Sequence, residues 1–374
     1  MKILHTITGL GVMSGGTSTC VYELVKALNQ NGLSTDILTN VGSTKNPLIS
    51  NDNFIHTVNA KYRTPFSFSS TMRKALREIN DYDIIHINGL WSEQSLYSAH
   101  IAKKRGIPYI VSPHGMLYPQ ALSVKPFRKW LMRKFLFDRM LSCAACIHAT
   151  CEEEKEHYQS LGFTNEVRVI PNILQLPDYL KDIPHDRQKK RIGFLGRLHP
   201  IKNLPALLEA WRLLGAKTDE AELLIIGSGD NEYEGKLRNI AKKCPFDNIR
   251  FCGFVNGIDK FRLLGSLSAL CIPSHQENFG MTAIEAMAIG TPVIASKTTP
   301  WKDLEIYHSG WWVDNSPESL SNAIRMALCL NDKEFEIMGR NGQLLVEKKY
   351  SPDVVVKMAI NMYMTVLDRS CKSR

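Results

Sequence analysis

The chain has 374 residues, of which 44% are hydrophobic and 22% charged, and a formal net charge of +9. This length exceeds one ordinary hydrophobic core and suits two domains of a globular protein. The positive charge admits nucleic acid, anionic lipid or a phosphate-bearing substrate as partner. Without zinc-finger spacing, basic heptads or an RNA-binding aromatic signature, nucleic acid is excluded.

The first residues, Met1-Lys2-Ile3-Leu4-His5, enter a strand-like run with no apolar leader before it, so a cytoplasmic location is expected. No run approaches the roughly 18 apolar residues of a membrane span. Short apolar runs at 2–8, 34–39, 83–87, 108–112, 145–149 and 167–170 read as buried strands. Amphipathic stretches at 17–31, 67–79, 92–105, 126–141 and 152–161 read as helices. This alternation predicts an α/β fold with a doubly wound parallel sheet. The polar segment 177–190 carries two prolines and several charges and reads as a linker. The alternation restarts with strands at 191–195, 223–226, 249–252, 269–272 and 292–295 and helices between them, and closes on a helix at 352–368. Two Rossmann-like domains facing an interdomain cleft are the economical architecture: 1–176 and 191–351, with 352–374 completing the first. Such sheets bind ligands at the carboxyl ends of their strands.

Several of those strand ends carry chemistry. After the first strand, Gly9-Leu10-Gly11-Val12-Met13-Ser14-Gly15-Gly16-Thr17 opens a helix with glycines that let backbone N–H groups approach a phosphate. Ser14 stands where a dinucleotide fingerprint needs glycine, and the second strand ends at Thr39-Asn40 rather than at an acid, so NAD is disfavoured. Asn88 and Trp91 end one strand and can line an acceptor site; His114 follows another. The segment 125–139 is basic, aromatic and helical; it suits an anionic membrane surface and a helix packed on the sheet equally well. Nine cysteines follow no framework. Cys143 and Cys146 are two residues apart with Cys151 beyond, but no second pair or histidine cluster completes a metal site, so they read as reduced core thiols.

In the second half, Gly196-Arg197 leaves a strand and Lys202 stands at the mouth of the next helix. A guanidinium fork and a point charge together can neutralise a diphosphate. Ile226-Gly227-Ser228-Gly229-Asp230 and Phe251-Cys252-Gly253-Phe254-Val255 follow two more strands. The run from Ser274 to Ala295 has Glu277 in a turn, Asn278-Phe279-Gly280 completing it, and a helix from Met281 to Ile289 with Glu285 on it. The free N–H groups of that helix start favour phosphate. The two carboxylates can instead be plain solvated acids.

The Glu277–Glu285 spacing resembles the E-x7-E signature of retaining glycosyltransferases with the GT-B architecture, family four in particular. The run from Gly196 to Lys202 resembles that family's G-R-x-x-x-x-K segment, and the likeness covers nearly the whole chain. The resemblance implies a nucleotide-diphosphate sugar donor, UDP- or GDP-linked, and retention of anomeric configuration without cofactor or metal. It implies that Glu277 and His114 contact the donor sugar, Glu285 the ribose, and Phe254 and Val255 the base. Gly15, Gly16, Gly196, Arg197, Lys202, Asn278, Phe279, Gly280 and Met281 would surround the diphosphate. The last helix would cross back to the first domain. The implied role is transfer to a glycan acceptor, polyprenyl-diphosphate-linked, in surface polysaccharide synthesis, on the inner face of the cytoplasmic membrane. Ile173 departs from the family, which has glycine after Ile170-Pro171-Asn172, so the hinge there would differ in shape. A nucleotide-sugar isomerase or hydrolase of the same fold, and a non-catalytic membrane-associated binding protein, are the alternatives.

Overall fold

The computed structural model describes residues 1–372 except 42, 44–45, 61–65, 67, 176–182, 184–188, 216–219 and 245–246. The chain forms two compact units, Met1–Ile173 with Pro352–Arg374, and Leu174–Ser351. The segment 177–190, read as a linker, lies outside the described residues except for Ile183, Lys189 and Lys190.

The first unit is built on a seven-stranded, wholly parallel sheet. Its strands are β1 (Lys2–Thr6), β2 (Ser34–Asn40), β3 (Ile55–Val58), β4 (Ile84–Asn88), β5 (Tyr109–Ser112), β6 (Cys146–Ala149) and β7 (Val167–Val169). They lie in the order β3-β2-β1-β4-β5-β6-β7. Crossovers are supplied by α1 (Gly16–Gln30), α2 (Ser70–Glu78), α3 (Glu93–Arg105), α4 (Pro119–Ser123), α5 (Pro126–Met132), α6 (Asp138–Ser142) and α7 (Glu152–Ser160). Local chemistry sets the ends of α3: Ser92 accepts from the Ser95 N–H at its start, and Gly106 terminates it at φ 66°.

The second unit has a six-stranded parallel sheet in the order β10-β9-β8-β11-β12-β13. Its elements run β8 (Lys190–Leu195), α8 (Leu204–Leu214), β9 (Ala221–Ile226), α9 (Asn231–Ala241), β10 (Ile249–Gly253), α10 (Gly257–Gly265), β11 (Ala269–Ile272) and α11 (Met281–Ala288). There follow β12 (Val293–Ser296), α12 (Asp303–Ile306), β13 (Gly310–Val313), α13 (Pro317–Cys329) and α14 (Asp332–Tyr350). One side of the sheet is covered by α8 and α13 around Trp211; the other is packed by α11 and α14 around Phe279, Trp301 and Tyr350.

The chain then returns to the first unit as α15 (Pro352–Lys372), whose Val355, Val356, Ala359, Met362, Tyr363 and Val366 join Ile3, Ile84, Ile110 and Cys146 in one buried cluster. Ile173 belongs to the same cluster, so the side chain standing in place of the family's glycine is a core residue. Among the described residues no helix is long and apolar enough to cross a membrane.

The structure adds to the sequence reading in three places. Strands β3 and β13 were not foreseen; the helix expected over 126–141 is broken by a π-turn at Arg133–Phe137; and α12, α13 and α14 fill the stretch before the last helix.

Candidate active site

In the second unit the loops after β8 and β9 are locked together at the carboxyl edge of the sheet. The Gly196 N–H donates to the Ile226 carbonyl at 3.0 Å, and the Leu198 N–H to the Ser228 carbonyl at 2.9 Å. Gly227, at φ 141°, lies so close to its neighbour that a Cβ there would stand 1.8 Å from the Gly196 oxygen. Only glycine fits, and its fit sets the direction in which Arg197 leaves the strand. Arg197 is exposed and takes no carboxylate partner among the described residues.

Lys202 closes a 3-10 turn, Pro200–Lys202, whose exit needs Asn203 at φ 52°. The His275 N–H donates to the Ile201 carbonyl at 2.8 Å and ties that turn to the loop after β11. Across the tie, the Lys202 ammonium donates to Glu277 Oε1, which also accepts from the Ser274 hydroxyl at 2.8 Å. Glu285, on α11, accepts from Lys260 of α10 at 2.8 Å. Only 11% of the Glu277 side chain and 14% of Glu285 are exposed. The reading of two solvated acids is therefore set aside: each carboxylate is held against one lysine. Lys260 had escaped the sequence reading because its motif stands 25 residues away from Glu285, in a helix with no signature of its own.

Between the two pairs, α11 is entered through Gly280, in the left-handed region at φ 84°, and no side chain caps its first turn. Its leading N–H groups are therefore available to an anion. A Cβ at Gly280 would lie 3.0 Å from Trp301 Nε1, a buried N–H with no hydrogen-bond partner among the described residues. The Phe279 side chain is not on this surface. It is 5% exposed and packs on Trp301 and Tyr350 with ring centroids 5.6 and 5.5 Å away, so its part in the site is limited to its backbone. After β10, Phe254 is 57% exposed while Val255 packs against the core.

In the first unit, the loop after β1 carries a 3-10 turn, Val12–Ser14, then Gly15 at φ 90°, and α1 starts at Gly16, one residue before its expected start. A Cβ on Gly15 or Gly16 would meet nothing within 4 Å, so the glycines leave open space above this helix start. His114 sits at φ 52° in the turn after β5. Its Nε2–H donates to Asn88 Oδ1 at 3.1 Å, and the turn is gripped by Glu154 of α7, which accepts from the Gly115 N–H at 2.5 Å and from the Thr150 N–H and hydroxyl. Burial pushes the Glu154 carboxyl above its ordinary range, against the pull of those donors. Burial and the neighbouring His148 lower the His114 imidazole to about 3, so near neutral pH it hydrogen-bonds without charge. Asn88 is buried and its amide points inward, donating to the His86 carbonyl and to His5. Trp91, at φ 62°, packs on Phe137 and beneath the Lys129 ammonium.

The segment 125–139 is only partly seated. Phe137 is fully buried, whereas Phe127 is 75% exposed, Phe135 73% and Trp130 53%, with Leu131, Leu136, Lys125, Arg128 and Lys134 also exposed. All nine cysteines are free thiols; Cys146 and Cys151 are buried, but Cys143 is exposed and so is not a core thiol. Among the described residues no three His, Cys, Asp or Glu side chains are grouped to hold a metal ion.

Two parallel-sheet units of this topology have the fold of the GT-B class. Residues 15–173 match the Glycosyl transferase 4-like domain, and residues 177–344 match Glycosyl transferases group 1. The chain belongs to this glycosyltransferase family and is an enzyme of glycosyl transfer. It is 24% identical to O-antigen chain mannosyltransferase C of Escherichia coli, over 98% of this chain and 99% of that protein. Among solved structures it resembles sucrose-phosphate synthase from Thermosynechococcus elongatus, with a TM-score of 0.76 at 19% identity, covering 99% of this chain and 100% of that one. It likewise resembles Anabaena HepE, solved in complex with UDP and glucose, with a TM-score of 0.73 at 17% identity, covering 98% and 100%.

Proposed function

We propose that the protein transfers a sugar, with retained anomeric configuration, from a nucleoside-diphosphate sugar to a lipid-linked glycan acceptor in surface polysaccharide synthesis. The observation that carries the donor half of this reading is the cluster at the start of α11. An uncapped helix N-terminus stands beside Lys202, and the exposed Arg197 leaves a neighbouring strand with no carboxylate partner among the described residues. A diphosphate would draw Lys202 away from Glu277 and accept from the helix N–H groups, while Glu277, released, would accept from a sugar hydroxyl. Glu285, steadied by Lys260, would accept from the ribose, and Phe254 offers an exposed ring on which a base can stack. As the glycosidic bond breaks, charge grows on the diphosphate; donors fixed there stabilise it without reorganising, an effect worth about 3–4 kcal/mol per donor. These cations serve in place of a metal or cofactor. His114, neutral, would hold a hydroxyl of the donor sugar.

The acceptor half is supported by the O-antigen mannosyltransferase likeness and by the basic apolar surface at 125–139. Exposed Phe127, Trp130 and Phe135 among Lys125, Arg128 and Lys134 suit insertion at an anionic lipid interface, which would place the enzyme peripherally on the inner face of the cytoplasmic membrane. The test is a thermal-shift screen with UDP, GDP, ADP, CMP and NAD, followed by turnover with the sugar donors of whichever nucleotide stabilises. Stabilisation by one nucleoside diphosphate and transfer to a polyprenyl-diphosphate-linked glycan support the reading. Stabilisation by none, alongside vesicle binding, would favour the non-catalytic membrane protein instead.

A further inference from the structure

Four neighbouring strands of the first unit carry a polar residue near the carboxyl end where a sheet covered on both faces should be apolar. These are His5 on β1, His86 and Asn88 on β4, Ser112 on β5 and His148 on β6. His5, His86, Ser112 and His148 each lie two residues beyond an apolar residue packed under α15, namely Ile3, Ile84, Ile110 and Cys146, and Asn88 lies two beyond His86, so all project from the same face. His5, His86, Asn88, Ser112 and His148 are buried, and each has its hydrogen bonds made.

The directions of those bonds can be worked out from two backbone carbonyls, which can only accept. At one end, the Ile170 carbonyl takes the proton of His148 Nε2 at 2.9 Å, so His148 Nδ1 accepts from the Ser112 hydroxyl at 2.9 Å. Ser112 in turn accepts from His86 Nε2–H at 2.7 Å, leaving His86 Nδ1 to accept from the Tyr363 hydroxyl at 2.9 Å. At the other end, the His86 carbonyl takes one proton of the Asn88 amide at 3.3 Å, which turns Asn88 Oδ1 to His114 and its second proton to His5 Nδ1 at 3.3 Å. His5 then donates from Nε2 to the Tyr363 oxygen at 3.1 Å. The two arms meet at one hydroxyl that must accept from His5 and donate to His86. All four imidazoles come out as the Nε2–H form, and His114 Nδ1 keeps its lone pair with no partner among the described residues.

We propose that Tyr363, on the helix that returns to the first unit, is a positioning residue that holds His114 in the Nε2–H form, so that its Nδ1 accepts a hydrogen bond from a hydroxyl of the sugar substrate. Reversing every bond in the row would set His148 Nε2 and Asn88 Oδ1 lone pair against lone pair with both carbonyls. With the Tyr363 hydroxyl in place neither arm can reverse alone. Without it the Asn88 arm is held only by the 3.3 Å bond to the His86 carbonyl, and its reversal then costs that one bond, turning His114 to the Nδ1–H form that offers the sugar a donor where it needs an acceptor. The link to substrate rests on the transferase reading; the tautomers do not.

The experiment is a long-range proton–nitrogen correlation spectrum of the full chain, labelled with nitrogen-15, together with donor turnover, for the unaltered protein and Tyr363→Phe. The unaltered protein should show His5, His86, His114 and His148 as neutral Nε2–H rings. Tyr363→Phe should bring in an Nδ1–H form of His114 and lower kcat/KM about tenfold, as loss of an outer partner does elsewhere. An Nδ1–H His114 in the unaltered protein overturns the proposal, as does a Tyr363→Phe variant in which either the spectrum or kcat/KM is unchanged. Four Nε2–H rings, with an Nδ1–H form of His114 in Tyr363→Phe, in a protein that turns over no donor refute the transferase reading and still support the hold of Tyr363 on the tautomers.

Discussion

Acidification should loosen the first unit before the second, and the buried histidine row sets the size of the effect. Burial, with the nearby His148 and His114, lowers His5 to about 3, and burial lowers His148 to about 4. His86 is lowered well below its ordinary value by the same burial and by its histidine neighbours. An unfolded histidine titrates near 6.5. Below that pH the unfolded chain binds protons that the folded one refuses, so stability is intact above about 6.5 and falls as the pH drops toward the folded values. Between about pH 6.5 and 5.5 each histidine costs about 1 kcal/mol, hence about 3 kcal/mol for His5, His114 and His148 together, with His86 adding in the same direction. Glu154 and Glu23, raised by burial, work the opposite way, gaining a proton in the folded state as the pH falls. Hydrogen exchange resolves the two units: after correction for intrinsic rates, amides of β1, β4 and β5 should lose protection over this range relative to those of β8, β9 and β11. Equal protection of both units at the two pH values would refute the reasoning.

Four further outcomes follow. Lys202→Ala should lower kcat by about 100- to 1000-fold, as removal of one preorganised donor does; retained turnover in a folded variant would remove Lys202 from the chemistry. Phe254→Ala should raise the Kd of the nucleotide about tenfold through lost stacking, with Tm nearly unchanged because the ring is largely exposed. Phe279→Ala should destabilise the second unit by about 3–5 kcal/mol, whereas Phe279→Leu should keep nucleotide binding, since the ring packs and does not touch the donor. Gly227→Ala should cost more than about 2 kcal/mol through backbone strain and the clash with the Gly196 oxygen, read as a lower Tm and weaker nucleotide binding.

The parallel sheets were legible because their central strands are buried on both faces and read as unbroken apolar runs. Strand β3, an edge strand of Ile55, His56, Thr57 and Val58 with an exposed middle, has no such run. Strand β13 was missed because Gly310 and two tryptophans resemble a loop as much as a strand. The second-unit cluster could be read because Glu277 and Glu285 lie close in sequence and Arg197 and Lys202 share a strand end. Lys260, Glu154 and Tyr363 could not, since their partners stand 25, 39 and up to 358 residues away. A signal for the histidine row was nonetheless present: four strands of one sheet each bear a polar residue two places after an apolar one, which a single lone histidine does not reveal.

The return of α15 to the first unit also bears on how the protein is made. A chain leaving the ribosome presents residues 1–173 early, yet the face of their sheet that carries Ile3, Ile84, Ile110 and Cys146 is covered only in part, by Leu24, Ala27 and Leu28 of α1, until 352–372 emerge. The second unit, contiguous in sequence, can close over its own core first. The older half of the polypeptide therefore spends most of synthesis with a partly open apolar face and an unfinished histidine row. The returning helix completes both at once, and a messenger cut short before it yields one finished unit tethered to one whose sheet face lacks that cover.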